Sequence, residues 1–149
     1  MFQFPREVKN KLIEAGWSEK RNISIKPFED SLNSENYKMH FSAQRFLENF
    51  GNLKISFKSR NGTKDYMHFN VSKAVEDVFP VWIQKNYATR LNNYSLCPIG
   101  QVYSNHITLI MDDKGKVYGG FDDELFFISF SGEEAIVSIY YNLVFEKIA

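Results

Sequence analysis

Four stretches of the chain carry apolar residues at helical spacing. The first, residues 5–15, starts with Pro5 and ends at Gly16, and these residue types favour a helix start and a helix end. The second, residues 38–50, has an apolar stripe closed by Gly51. Residues 72–91 are predicted to be helical with a break at Pro80, and Ser131 with Glu134 forms a capping box for a last helix. The polar stretch 18–37, interrupted by Pro27, is predicted to be irregular.

Other stretches alternate apolar and polar residues with the period of a strand. Residues 53–58 do so, and Asn61-Gly62 after them is a strong hairpin signal. Turn residues separate the later candidates. The predicted strands are 53–58, Asp65–Asn70, Leu96–Gln101, Ile107–Met111, Lys116–Phe121 and Leu125–Ser129. Hairpin-linked strands among helices predict an α+β fold, a single domain over residues 1–149 with a largely antiparallel sheet of about five to six strands.

The total charge of the chain is neutral, but the charged residues are unevenly distributed along it. The 18 basic and 18 acidic side chains cancel, so no overall basic field favours nucleic acid or an anionic membrane. Residues 1–90 contain 15 Lys and Arg against 10 Asp and Glu, a net of +5, whereas residues 91–149 contain 3 against 8, a net of −5. We expect a protein partner and no direct nucleic-acid or membrane binding.

The single cysteine, Cys97, excludes an internal disulfide and favours a reducing compartment. The N-terminal stretch has no apolar segment of secretory length, and no window approaches a membrane span. The protein is therefore expected to be cytoplasmic. In its apolar strand, Cys97 is expected to be a small buried side chain.

Few residues are candidates for catalysis or for metal or phosphate binding. The three histidines (His40, His68 and His106) fall on three different elements without the close spacing of zinc ligands. Residues 112–115 lack the ligand pattern of a calcium loop, and Gly119-Gly120 is followed by no helix start that could bind phosphate. We expect no cofactor, no metal site, no catalytic residues and no enzymatic activity.

Four landmarks stand in a fixed order along the chain: Gly16-Trp17 with Arg21, residues 46–51 (FLENFG), Pro98-Ile99-Gly100, and residues 109–112 (LIMD) leading to 115–118 (GKVY). In this order and spacing the chain resembles the third subfamily of the SUKH superfamily, bacterial immunity proteins related to the yeast Smi/Knr-type proteins. The resemblance implies a small cytoplasmic protein that binds and neutralises the toxin domain of a polymorphic toxin, often a nuclease or a deaminase. It implies no catalytic residues.

Within the first landmark, Trp17 is predicted to pack the end of the first helix onto the sheet. Arg21 is predicted to hold the following loop by donating hydrogen bonds to carbonyls or a carboxylate. Two alternatives to the immunity function stay open: a scaffold or adaptor domain of the same fold that binds a cellular protein, and an enzyme.

Two acidic turns are the candidate binding surface for the toxin. Asp112 and Asp113 lie in one, Asp122, Asp123 and Glu124 in the other, and Tyr118 on the strand between them. If that strand pairs with both neighbours, the two turns fall at opposite ends of the sheet. An acidic face can compete with phosphate for the basic surface of a nucleic-acid enzyme. Alternatively, these acids only keep the hairpin tips soluble, and the basic N-terminal part binds the partner. The free protein is expected to be a monomer.

Overall fold

A computed structural model describes residues 2–149. In this part of the chain, seven strands form one antiparallel sheet in which each strand pairs with the next along the chain. The predicted α+β fold with a largely antiparallel sheet is confirmed, with one strand more than expected. The strands are β1 (Lys54–Lys58), β2 (Lys64–His68), β3 (Cys97–Val102), β4 (Ile107–Met111), β5 (Val117–Phe121), β6 (Glu124–Ser129) and β7 (Glu146–Ile148).

Six helical segments pack around this sheet. The fifth, α5, runs over residues 80–91 and is α-helical over Pro80–Trp82, a π-helix over Ile83–Tyr87, and α-helical again over Ala88–Leu91. The break before it was predicted, and Phe79 there has an extended backbone, as the residue before a proline prefers. The other helices are α1 (Arg6–Glu14), α2 (Lys26–Ser34), α3 (Phe41–Phe50), α4 (Val71–Glu76) and α6 (Gly132–Tyr140).

The opening landmark ends a helix, as predicted. Gly16 has a φ of 108°, in the left-handed region that glycine tolerates. The Gly16 N–H donates to the carbonyl of Ile13, and the Trp17 N–H to that of Leu12. These two bonds satisfy carbonyls that the end of α1 would otherwise leave free.

The prediction of an irregular stretch over residues 18–37 was wrong, because α2 lies within it. Pro27 occupies the first turn of α2, where its missing N–H costs nothing. Phe28 and Leu32, four residues apart, are the buried face of α2. The two apolar residues were too few to stand out in a polar stretch.

The interior is one continuous cluster of apolar side chains between the sheet and its helices. All six residues of β3 are buried, which places this strand at the centre of the fold. Gly100 in β3 has a physical reason to be glycine, since a Cβ there would overlap the carbonyl of His68 on β2. Cys97 is buried as expected, and burial raises the pKa of its thiol to about 11.

No helix in residues 2–149 has both the length and the apolar character that crossing a membrane requires.

Candidate partner-binding surface

The two predicted acidic turns lie at opposite ends of β5, which pairs with β4 on one side and β6 on the other. The strand therefore pairs with both of its neighbours, which is the condition under which the sequence placed the two turns at opposite ends of the sheet. Asp112 and Asp113 lie in the β4–β5 turn, whereas Asp122 and Asp123 form the two-residue loop between Phe121 and Glu124. The structure does not bring the two clusters together.

The first turn is held by its own aspartate. Asp112 is only 3% exposed, and its carboxylate accepts the N–H groups of Lys114 and Lys116, both at 2.9 Å. The Tyr118 hydroxyl lies 3.4 Å from the same carboxylate and donates to it. Burial, with the Asp112 carboxylate adding to it, raises the pKa of Tyr118 to about 12. Asp112 and Tyr118 therefore bond to each other and to the turn, and Asp113 is the exposed acid at this end.

The second turn is fixed through its backbone and leaves two carboxylates outside. The carbonyl of Asp122 accepts the Tyr87 hydroxyl at 2.5 Å and the Trp82 indole N–H at 2.9 Å. The carbonyl of Asp123 accepts the Arg90 guanidinium at 2.6 Å. Both aspartates are exposed, and Asp122 has a φ of 51°, a conformation that Asp and Asn tolerate better than most residues. Because the backbone of this turn is anchored to α5, the fold sets the point from which both carboxylates project into solvent.

Glu124 differs from its two neighbours because it is paired. Its carboxylate lies 3.2 Å from the Lys147 ammonium of β7, with both side chains largely in solvent. Exposed pairs of this kind contribute little to stability, about 0–1 kcal/mol. Of the three acids at this turn, Asp122 and Asp123 remain without a salt-bridge partner within residues 2–149.

Sequence reasoning missed the apolar residues beside this turn. Phe79, Val81 and Trp82 are exposed by 76%, 63% and 40%, and Phe121 at the end of β5 by 44%. Phe79, Trp82 and Phe121 line a groove of about 640 Å³ between the segment 77–87 and the β5–β6 turn, and Val81 lies outside it. The run of apolar residues over 78–82, uninterrupted by a polar side chain, was the available signal, since a surface helix cannot bury such a run completely. We call this the aromatic groove.

A second concave surface, of about 790 Å³, lies on the side of α3, and several landmark residues line it. Here the polar groups bond to each other. The Trp17 indole N–H donates to the Asn49 side-chain oxygen at 3.1 Å, and the Asn49 amide donates to the Arg21 carbonyl at 2.8 Å. The Arg21 guanidinium donates to the carbonyls of Asn49 and Gly51 at 3.0 and 2.7 Å. The predicted structural roles of Trp17 and Arg21 are confirmed, except that the Trp17 ring stacks on Phe50 of α3.

The exposed rings of the two surfaces differ in their cationic neighbours. On the second surface, Arg45 lies over Phe41 at 5.7 Å and Lys116 over Phe130 at 5.8 Å. In the described part of the chain, no Lys or Arg lies over the rings of the aromatic groove. The groove is therefore the surface whose rings are free to contact another molecule.

Metal-ligating groups do not converge in this structure. Across residues 2–149, no three His, Cys, Asp or Glu side chains are placed to hold an ion. Two of the three histidines bond to backbone: His40 caps α3 by accepting the Ala43 N–H at 3.1 Å, and His68 accepts the Asn70 N–H at 3.0 Å.

Comparison with known proteins identifies a family for this chain. The model of the SUKH-3 immunity protein family matches residues 4–141. The chain belongs to the SUKH-3 immunity protein family, which confirms the resemblance found in the sequence. No curated protein and no solved structure matches the chain.

Proposed function

We propose that this protein is an immunity protein that binds and neutralises a cognate bacterial toxin domain. The family match over residues 4–141 carries the proposal, because it spans nearly the whole chain. The protein acts by stoichiometric association and not by turnover. It works in the bacterial cytoplasm as a monomer, where it meets the toxin before the toxin reaches its substrate.

The toxin is a nuclease or a deaminase of a polymorphic toxin system. Such an enzyme presents a basic surface to phosphate, and carboxylates can occupy that surface in place of nucleic acid. Asp122 and Asp123 support this mode, because they are exposed and fixed through their backbone carbonyls to Trp82, Tyr87 and Arg90.

The proposed contact set follows the sequence prediction, with roles divided by burial. Asp122, Asp123 and Glu124 contact the toxin at one end of β5, and Asp113 at the other. Asp112 and Tyr118 act indirectly, since their mutual bond shapes the turn that presents Asp113.

A pull-down from the native host, followed by a growth assay, tests the proposal. We expect the protein to capture one polypeptide whose isolated C-terminal domain arrests growth when expressed alone. Co-expression of the immunity protein should restore growth. Capture of a partner that is harmless by itself would contradict the immunity function and favour the adaptor alternative.

A further inference from the structure

The walls of the aromatic groove are preformed. Trp82 and Tyr87 both donate to the carbonyl of Asp122, and their rings lie edge to face with centroids 6.5 Å apart. Gly120 leaves room for the Tyr87 ring, since a Cβ there would lie 2.6 Å from it. On the far wall, Phe121 and His106 form a second edge-to-face pair at 6.2 Å. A ligand entering this groove would meet rings that are already in place.

Exposed aromatic side chains gathered around one groove are unusual for a protein surface. Large apolar patches on soluble proteins commonly mark interaction sites, and Trp is among the residues most enriched at binding hot spots. Phe79, at 76% exposure, makes its apolar surface available at the rim. These rings supply the apolar part of a contact surface.

The charged residues that line the groove indicate which kind of side chain it can bind. Three charged residues line it, Asp77, Asp122 and Asp123, and all are acidic. Asp77 also accepts a hydrogen bond from the Gln101 amide at 2.5 Å, which holds it at this edge of β3. Aromatic faces beside carboxylates suit a cation with a flat, weakly hydrated head, because a guanidinium can stack on a ring and donate in parallel to a carboxylate.

We infer that the aromatic groove receives an arginine side chain, flanked by apolar residues, from a protruding loop of the partner toxin. The guanidinium lies against Trp82 and Phe79 and donates to Asp122 or Asp123, while the flanking residues cover Phe121. This inference rests on the proposed function for the identity of the partner. The recognition chemistry itself rests on the groove.

Titration of the full-length, ¹⁵N-labelled protein with blocked tripeptides tests the inference without the toxin. The probe is acetyl-Leu-Arg-Leu-amide, compared with the same peptide carrying Gln or Lys at the centre. We expect the arginine peptide to shift the Trp82 indole N–H signal with a millimolar dissociation constant and to bind more tightly than the other two. The Trp17 indole N–H, which is bonded to Asn49, is the internal control and should not shift.

Variants then assign the binding to the groove. Phe79→Ser removes an exposed ring and places a preferred capping residue at the start of α5. It should weaken the arginine peptide by about two- to fivefold, the loss of one exposed cation–π contact. The double change Asp122→Asn and Asp123→Asn keeps the turn conformation and should weaken it at least as much. The matched controls Phe41→Ser and Asp113→Asn should leave the binding of the arginine peptide unchanged, because neither residue lines the groove.

Three results would overturn the inference: equal binding of the Gln peptide, equal binding of the Lys peptide, or shifts that spare Trp82. Concentration-dependent dimerisation that Phe79→Ser abolishes would also do so, since a second copy would then cover the groove. Peptide binding by a chain that protects against no toxin would refute the proposed function alone. Full toxin protection by a wild-type protein whose groove does not bind the arginine peptide would refute this inference alone.

Discussion

At the scale of single residues, several polar side chains in this fold form hydrogen bonds with nearby backbone groups. Asp112 accepts two N–H groups of its own turn, and Arg21 donates to two carbonyls at the end of α3. Each bond removes the cost of a buried group without a partner, about 1–3 kcal/mol. Phe79 and Asp123 differ from Asp112 and Arg21, because their side chains are exposed and make no hydrogen bond or salt bridge within the described chain.

Replacing Trp17 tests the structural reading of the first landmark. The ring is buried between Phe4 and Phe50, so Trp17→Ala leaves a cavity and removes the donor to the Asn49 side-chain oxygen. We expect the free energy of unfolding in urea to fall by about 3–5 kcal/mol. The control Phe41→Ala removes an exposed ring and should change stability by about 0.5 kcal/mol or less. A Trp17→Ala variant with unchanged stability but no partner binding would make Trp17 a contact residue instead.

Replacing Asp112 tests whether this residue acts on the turn or on the partner. Asp112→Ala leaves two backbone N–H groups and the Tyr118 hydroxyl without their acceptor. We expect a loss of about 1–3 kcal/mol in thermal or urea unfolding. Asp113→Ala, one position along on the exposed side of the turn, is the matched control and should leave stability within about 0.5 kcal/mol. Equal stability of the two variants would show that the Asp112 bonds contribute nothing.

At the scale of elements, the sequence pattern predicted the helices and strands with periodic apolar residues. It missed a short strand and a helix in a polar stretch. The bounds of β4 were predicted to the residue, because a buried run between two turn clusters is a clear signal. By contrast, α2 has only two buried apolar residues, and β7 has three residues of which two are charged, Glu146 and Lys147. Both elements are fixed by tertiary contacts that no local pattern records, such as the pairing of β7 with β6.

The same limit applies to the candidate surface. The acidic turns could be predicted because turn-forming residue types are recognisable in a sequence. The burial of Asp112 could not, because it arises only in the folded chain, where Tyr118 on the next strand donates to its carboxylate. The aromatic groove needed the three-dimensional structure. It joins residues 77–87 to a turn some 40 positions later, as the bond from Trp82 to Asp122 shows.

A histidine links two strands and should make stability depend on pH. His68 on β2 donates from Nε2 to the Gln101 side-chain oxygen on β3 at 2.9 Å and accepts the Asn70 N–H at Nδ1. The pKa of His68 is lowered from its ordinary value of 6.5, chiefly by burial, although the Gln101 bond opposes this; Lys73 and Lys54 lower it further. The folded state therefore resists a proton that the unfolded chain accepts.

The sign of the effect follows from linkage. Above pH 6.5 both states hold His68 neutral and its contribution is complete; as the pH falls below 6.5, the unfolded state gains a proton first and stability is lost. We expect the free energy of unfolding at pH 5.5 to lie below that at pH 7.5, with a smaller difference in His68→Gln. The exposed His106→Gln is the control and should keep the wild-type difference. A pH dependence unchanged by His68→Gln would refute the assignment.

At the scale of the whole molecule, net neutrality conceals a division of charge. The basic excess lies in residues 1–90 and the acidic excess in residues 91–149, and the latter part supplies both acidic turns. In the proposed complex, the exposed carboxylates of these turns would steer the approach to a basic surface. They would do so through the rate of encounter more than through final affinity.

Removing the acids at one end of β5 tests this steering on the toxin captured from the host. The variant carries Asp122→Asn and Asp123→Asn, because Asn accepts the left-handed backbone at Asp122 and leaves the carbonyl bonds from Tyr87 and Arg90 in place. Glu124 is left unchanged, because removing its carboxylate would leave the Lys147 ammonium without its salt-bridge partner. We expect stopped-flow association with the toxin domain to slow by about tenfold at low salt. The dependence of the rate on ionic strength should become shallower, because fewer charges are screened.

Asp113→Asn, at the opposite end of β5, measures what one acid of the other turn contributes. Association rates equal to wild type at all salt concentrations, for both variants, would contradict an acidic docking face. Recognition would then lie on another surface, such as the basic N-terminal part of the chain.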